Sequence, residues 1–393
     1  MTWVGWVAIV GALLAAVAVH LALQNRRALL GHGIALKPSI GAAGQPGTAS
    51  GAGSDAAHTL VAFVANPTKP GVPALRDAAV QACAARYLPE PLWFDTTEDD
   101  PGIGQTREAV ARGAEVVIAI GGDGTVRAVA EGLAGTGASM GLIPQGTGNL
   151  LARNLDLPIN DVDALLRIAL TGRDRKIDVG WLTVVRDESD VADDIAQADP
   201  QAVAPEKTPP GTSEPARDHI FLVIAGLGFD AAMVADTDEE LKARVGWIAY
   251  FVAGVKHLHA RRMRLELSFD GRPWRSVRLR SVLIGNCGRL PGGITLLPDA
   301  ELDDGWLDIG TIDTRGGLVG WAQLLGEVAM QRFGVITDLP NKIGRIDHAR
   351  VRTMGVRSRS PEQVQVDGDT IGEALEVSAR VDERALTVRV DGA

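Results

Sequence analysis

Five consecutive residues carry chemistry most plainly in this chain: Gly121, Gly122, Asp123, Gly124 and Thr125. They follow the strand-like run Glu115–Ile120 and open a helical stretch, Val126–Leu133. A glycine turn between a strand and a helix lets main-chain N–H groups wrap a phosphate, and the helix N-terminus adds a favourable dipole. Small residues at 121, 122 and 124 permit close approach of the backbone to an anion. Asp123 is the unusual member. A carboxylate beside a phosphate is electrostatically costly unless it holds Mg²⁺ or a reacting proton. The combination points to nucleotide phosphotransfer.

Two further turns have the same context. Asn66-Pro67-Thr68-Lys69-Pro70-Gly71 ends the buried-type run Leu60–Ala65, and Gly146-Thr147-Gly148-Asn149 follows Met140–Pro144. All three turns follow strand C-termini, where ligands sit in open α/β sheets. Lys69 can meet a phosphate as a point charge, and Thr147 and Asn149 offer a hydroxyl and an amide. None of the seven His has metal-ligand spacing. Lys256, His257, His259, Arg261, Arg262 and Arg264 form a basic cluster that reads first as a solvated helix end, with contact to anionic lipid as the alternative.

The elements that must position these turns alternate. Helical patterns at Ala74–Tyr87 and Gln105–Arg112 and a strand at Leu92–Asp95 join the strands named above. The pattern predicts an α/β, doubly wound nucleotide-binding domain over 59–178. Beyond Asp178 the strand-like segments Ile177–Val185, His219–Ile224, Arg264–Phe269, Val277–Ile284, Trp306–Ile312, Arg350–Arg357 and Ala385–Val390 dominate. Only Asp238–His259 and Gly317–Phe333 look strongly helical there, so an antiparallel β-rich domain is expected over 179–393. The acidic, Pro-rich stretch 186–217 reads as a disordered surface insertion.

At 393 residues the chain has room for two domains, and its net charge of −10 argues against nucleic acid as a partner. Cys83 and Cys287 are too few for a metal cluster and fit a reducing compartment. Residues 2–23 contain no Asp, Glu, Lys or Arg. At ~1.5 Å per residue that stretch is long enough to cross ~30 Å of hydrocarbon. Trp3 and Trp6 suit one interface, and Arg26 and Arg27 favour a cytoplasmic side after the span. No positive region precedes the apolar run, so the sequence predicts a retained single transmembrane helix rather than a cleaved signal. Residues 24–58 then form a flexible linker, and the catalytic domains lie at the cytoplasmic face of the cell membrane, with the lipid bilayer as a partner. A homo-oligomer is left open.

Taken together, Asn66-Pro67 with Gly71, Gly121–Thr125, Gly146–Asn149 and the string Leu296-Leu-Pro-Asp-Ala-Glu-Leu-Asp-Asp-Gly305 resemble the diacylglycerol kinase catalytic family, bacterial lipid kinases that are also similar to sphingosine kinases. The resemblance runs from about residue 60 to the end. It implies an N-terminal nucleotide domain, a C-terminal β-sandwich, ATP with Mg²⁺ as donor and a lipid hydroxyl as acceptor. It assigns ATP contacts to Asn66, Pro67, Thr68, Lys69, Gly71, Gly121, Gly122, Asp123, Gly124, Thr125, Gly146, Thr147, Gly148 and Asn149. Thr97 joins them, with Thr96 as the alternative. It implies a structural Mg²⁺ held by the Asp304 carboxylate beside the carbonyls of Glu301 and Trp306.

The departure lies near the C-terminus. The family places a Glu after Asp-Gly as the base for the acceptor hydroxyl, whereas this chain has Val366-Asp367-Gly368-Asp369. Asp369 keeps the carboxylate on a shorter arm, and a misplacement of ~1 Å can cost ~10²-fold in rate. Asp367 is expected to brace the site. Gly226-Leu-Gly228-Phe229-Asp230 matches another family stretch, opening the second domain near the cleft, with Asp230 either a helix N-cap or a functional group. The resulting expectation is an ATP-dependent lipid kinase acting on a membrane lipid such as diacylglycerol, with Asp123 and Asp369 catalytic. The alternatives are an NAD kinase-like phosphotransferase and a catalytically weak, membrane-anchored nucleotide- or lipid-binding protein.

Overall fold

Four apolar segments build the sheet that presents the glycine turns. β1 (Val61–Ala65), β3 (Val116–Gly121) and β4 (Ser139–Pro144) are buried along their whole length, and β2 (Leu92–Asp95) lies at the edge. Continuous apolar runs of this kind suit parallel strands covered on both faces. The computed structural model describes residues 59–187, 218–228, 262–290, 294–295, 297–314 and 344–392. The expected span at 2–23, the linker 24–58, nearly all of the 186–217 insertion, the helical segments 238–259 and 317–333, and Phe229 and Asp230 lie outside them. Among the described residues no helix is long and apolar enough to cross a membrane.

The order β2-β1-β3-β4 is parallel throughout. The chain winds from β1 outward to β2 and then back to β3 on the other side. That reversal opens a crevice at the C-terminal ends of β1 and β3, the place where such sheets bind ligands. Helices α1 (Val72–Ala84), α2 (Ile103–Ala111), α3 (Asp123–Leu133), α4 (Leu150–Asn154) and α5 (Val162–Thr171) connect these strands and lead out of the sheet. Sequence reading did not anticipate α4 or α5. The start of α5 was legible, because the Asp161 side chain caps it by accepting the Ala164 N–H at 2.9 Å.

The strands that follow are β5 (Arg173–Arg186), β6 (Asp218–Phe221), β7 (Ile224–Gly228), β8 (Met263–Phe269), β9 (Arg275–Leu279), β10 (Ser281–Gly285), the short β11 (Arg289–Leu290) and β12 (Ile294–Thr295), β13 (Leu307–Thr314), β14 (Gly344–Val351), β15 (Thr353–Val366) and β16 (Asp369–Val390). Their pairings are antiparallel, with one exception that joins the two halves. β16 runs antiparallel to β15 and β5, then pairs in parallel with β4 through Thr387↔Ser139 and Val388↔Met140. Leu386, Val388 and Val390 consequently pack in the same core as β1, β3 and β4.

The expected division at 178 thus falls inside β5, and the end of the chain returns to the nucleotide half. Two expected strands are also split. Val277–Ile284 breaks at Arg280, since β9 pairs with β8 whereas β10 pairs with β7 and β13. Arg350–Arg357 breaks at Arg352, where β14 gives way to β15. In each case one apolar run serves two different partners, which periodicity does not reveal.

Candidate active site

The site begins with two turns pressed together. The Gly122 backbone is extended and caps α3, so Asp123 is the first residue of that helix. Its carboxylate reaches across to the other turn. Oδ2 accepts the Asn149 N–H at 2.9 Å and Oδ1 accepts the Leu150 N–H at 2.6 Å. A Cβ added to Gly146 would lie 2.9 Å from the Gly122 Cα, and one added to Gly148 would lie 2.6 Å from Asp123 Oδ2. Glycine is required at both positions by this close approach. Asn149 completes the turn with a left-handed φ of 48°, and its Oδ1 accepts the Gly146 N–H at 3.0 Å.

The first turn borders the same crevice. The Asn66 N–H donates to the Ile120 carbonyl at 2.8 Å, tying the end of β1 to β3. Asn66 Oδ1 accepts from the Thr68 N–H and hydroxyl, which shapes the turn around Pro67, Lys69 and Pro70. Gly71 approaches Gln145 at the exit of β4, since its Cβ would lie 3.3 Å from Oε1. At the exit of β2, Thr97 is exposed with its hydroxyl accepting the Asp100 N–H at 3.0 Å, whereas Thr96 is buried. Thr125 is also buried, and a Cβ on Gly121 would collide with it at 2.6 Å. Thr147 is exposed beside Gly146 and Gly148.

The second half supplies a third wall through the turn between β15 and β16. Asp367 is buried, takes a left-handed φ of 48°, and accepts N–H groups from Leu222, Val223 and Ile224 at 2.7, 2.9 and 2.9 Å. That carboxylate is fully engaged with the backbone and pins the turn. Asp369 is different: its side chain is 55% exposed and pairs with Arg127 Nη2 at 2.8 Å. A Cβ on Gly124 would stand 3.4 Å from Asp369 Oδ2, so the carboxylate lies against the glycine turn.

Arg127 is the residue that sequence reading missed. From α3 it donates to Asp369 and also to the Val366 carbonyl at 2.6 Å. Its spacing four residues after Asp123 on one helix face was the available signal. It is the cation among three carboxylates. Burial pushes the Asp123 carboxyl up, and Asp367 and Asp369 add to this, against the two N–H groups it accepts. Burial likewise raises Asp367, opposed by Arg127 and its three N–H donors.

The loop assigned to a structural Mg²⁺ is arranged otherwise. Asp304 forms an ion pair with Arg350, and its Oδ1 accepts the Trp306 N–H at 3.0 Å. Arg350 Nε also lies 3.7 Å from Asp308 Oδ2, a buried oxygen without a hydrogen bond, and its guanidinium stands 5.9 Å from the Trp306 ring centre. Glu301 is exposed. In this arrangement an arginine supplies the positive charge at Asp304 that the resemblance gives to a metal.

Glycine turns at the switch point of a parallel sheet, closed by a carboxylate turn from an antiparallel second half, define a kinase. Residues 63–182 match the diacylglycerol kinase catalytic domain, and residues 223–390 match the YegS C-terminal NAD kinase beta sandwich-like domain. The chain belongs to the diacylglycerol kinase catalytic family. It is 28% identical over 270 residues to a protein of Pseudomonas putida named probable lipid kinase YegS-like, covering 68% of this chain and 74% of that one. A protein of the same name from Pseudomonas aeruginosa is 32% identical over 230 residues, with 57% and 63% covered. The fold is shared with the crystal structure of a diacylglycerol kinase from Bacillus anthracis, at a TM-score of 0.61 and 20% identity, covering 85% of this chain and 97% of that one.

Proposed function

We propose that this kinase transfers the γ-phosphoryl group of ATP to the hydroxyl of a membrane lipid such as diacylglycerol. The observation that carries this reading is the nearness of the exposed Asp369 carboxylate to the glycine turn, where a Cβ on Gly124 would stand 3.4 Å from its Oδ2. Donor phosphates belong at the turns of residues 66–71, 121–125 and 146–149, where Lys69 offers a cation. An acceptor hydroxyl entering beside Asp369 gives up its proton to that carboxylate while its oxygen bonds to the γ-phosphorus and ADP departs. Asp123 holds the second and third phosphate turns in register through Asn149 and Leu150. Mg²⁺ entering with ATP would neutralise phosphoryl charge near the acidic face of Asp123 and Asp369. Phosphoryl transfer depends chiefly on positioning and charge, which is what these residues supply.

The lipid acceptor is supported by the relatives' names and by the apolar stretch 2–23, read as a single-pass anchor that keeps the catalytic halves at the cytoplasmic face. Incubating the full chain in detergent with labelled ATP and a total lipid extract tests this reading. Label should enter the organic phase. Label found only on added NAD would favour the soluble phosphotransferase alternative, and ATP retained without transfer would favour a binding protein.

A further inference from the structure

The outer face of the second half carries a row of like charges that the fold itself assembles. In the β8–β9 hairpin Arg264 stands directly opposite Arg278. On the other side of β8, Ser358 of β15 is paired with Leu265, so Arg359, the next residue, flanks Arg264. The three arginines line one open cavity of about 260 Å³ together with Glu266, Ser276 and Val277. Like charges directly opposite one another destabilise a sheet, so this placement costs stability when nothing lies between them.

The neighbouring row shows the contrast. Arg357 faces Glu376 on β16 and Glu266 on β8, and its Nε pairs with Glu376 Oε2 at 2.9 Å. That row sets two acids against one arginine, and its Glu266 borders the arginine cavity. Among the described residues Arg264, Arg278 and Arg359 form no ion pair with an acid, in a chain of net charge −10. Beside the same face, Trp274 is 38% exposed and packs over Gly355, with the Arg357 guanidinium 4.0 Å from its ring centre.

We infer that this arginine row is a binding site for a phosphoryl anion, separate from the kinase crevice and independent of the lipid-kinase reading. Guanidinium forks donate paired N–H bonds to phosphate oxygens with matched geometry, and the Ser276 hydroxyl adds a donor. The phosphoryl group can come from a phospholipid headgroup or from a free phosphate ester, since both present the same oxygens.

The test uses the full chain in detergent and the double variant R264Q/R278Q, with R272Q/R275Q as a charge-matched control on the same hairpin. Melting temperature is read in inorganic phosphate and in chloride of equal ionic strength, because phosphate can also occupy the glycine turns in every variant. Flotation with phosphatidylglycerol vesicles is compared with phosphatidylcholine vesicles, which share any contribution of the apolar N-terminal segment. The double variant should melt higher than wild type in chloride, through relief of repulsion. It should also lose at least half of the phosphate-specific rise, of the phosphatidylglycerol excess, or of both. Loss of the vesicle excess identifies a headgroup as the source, and loss of the phosphate rise alone identifies a free ester. A double variant equal to wild type in both readouts, or a control that loses as much, overturns the inference.

Discussion

Gly124 and Asp369 lie far apart in the sequence, yet a Cβ on the glycine would stand 3.4 Å from the aspartate's Oδ2. The turn that would hold the donor and the carboxylate that would take the acceptor's proton are therefore adjacent. Arg127 fixes the relationship by leaving the same helix as Gly124 and binding both Asp369 and the Val366 carbonyl. Asp369→Asn should keep the fold and ATP affinity while turnover falls by ~10²–10⁴-fold. Asp369→Glu should retain activity. Unchanged turnover in the Asn variant would move the base elsewhere.

Asp123→Ala should abolish turnover and also weaken ATP binding, because the Asn149 and Leu150 N–H groups lose their acceptor. The stability loss should be about 1–3 kcal/mol, as expected for a buried donor left unpaired. Nucleotide titration and urea unfolding read the two effects separately. Full lipid phosphorylation by this variant would remove the central assignment.

Gly146→Ala inserts a methyl group that would meet the Gly122 Cα at 2.9 Å, so the two glycine turns must separate. Overpacking of this kind costs about 1–3 kcal/mol. The expected outcome is an ATP dissociation constant raised at least tenfold with the melting temperature lowered. An unchanged ATP affinity would show that the two turns do not act on the nucleotide together.

Burial, with Asp299 and Glu301 nearby, pushes the Asp308 carboxyl up to about 6. An ordinary aspartate titrates near ~3.9, so the folded state holds this proton more tightly than the unfolded chain does. The resulting stabilisation is full at pH values below that ordinary range and is lost as pH rises through about 6. Arg350→Ala removes the guanidinium shared with Asp304, so melting temperature should fall more near neutral pH than near pH 5, roughly. An equal loss at both values would mean Arg350 acts through Asp304 and Trp306 and not through Asp308. Adding EDTA should leave the wild-type melting temperature in place.

Deletion of residues 1–30 should give a kinase that turns over detergent-presented lipid but works poorly on intact membranes, since a tether raises local concentration without altering chemistry. Retention of the truncated chain on membranes after carbonate washing would contradict the single-anchor reading.

The glycine turns at 66–71, 121–125 and 146–149 were legible because each is a local string whose backbone needs are written in its own residues. The same holds for the buried strands β1, β3 and β4, whose apolar runs need no partner to be recognised. The antiparallel second half was legible as a class, but its strand ends at Arg280 and Arg352 were not. A break made by a change of partner leaves no mark on periodicity.

Sequence alone thus determined the glycine turns, the α/β-then-β order and the family, all of which rest on contiguous residues. Tertiary structure alone decided what each carboxylate does. Asp123 and Asp367 are occupied by backbone N–H groups, Asp304 by Arg350, and Asp369 remains exposed beside Gly124. It also decided that β16 closes the nucleotide sheet, and that Arg264, Arg278 and Arg359 share one face. The reason is physical: a side chain's charge and reach are set by its own chemistry, but its partner is set by strand register and chain crossings between segments far apart in sequence.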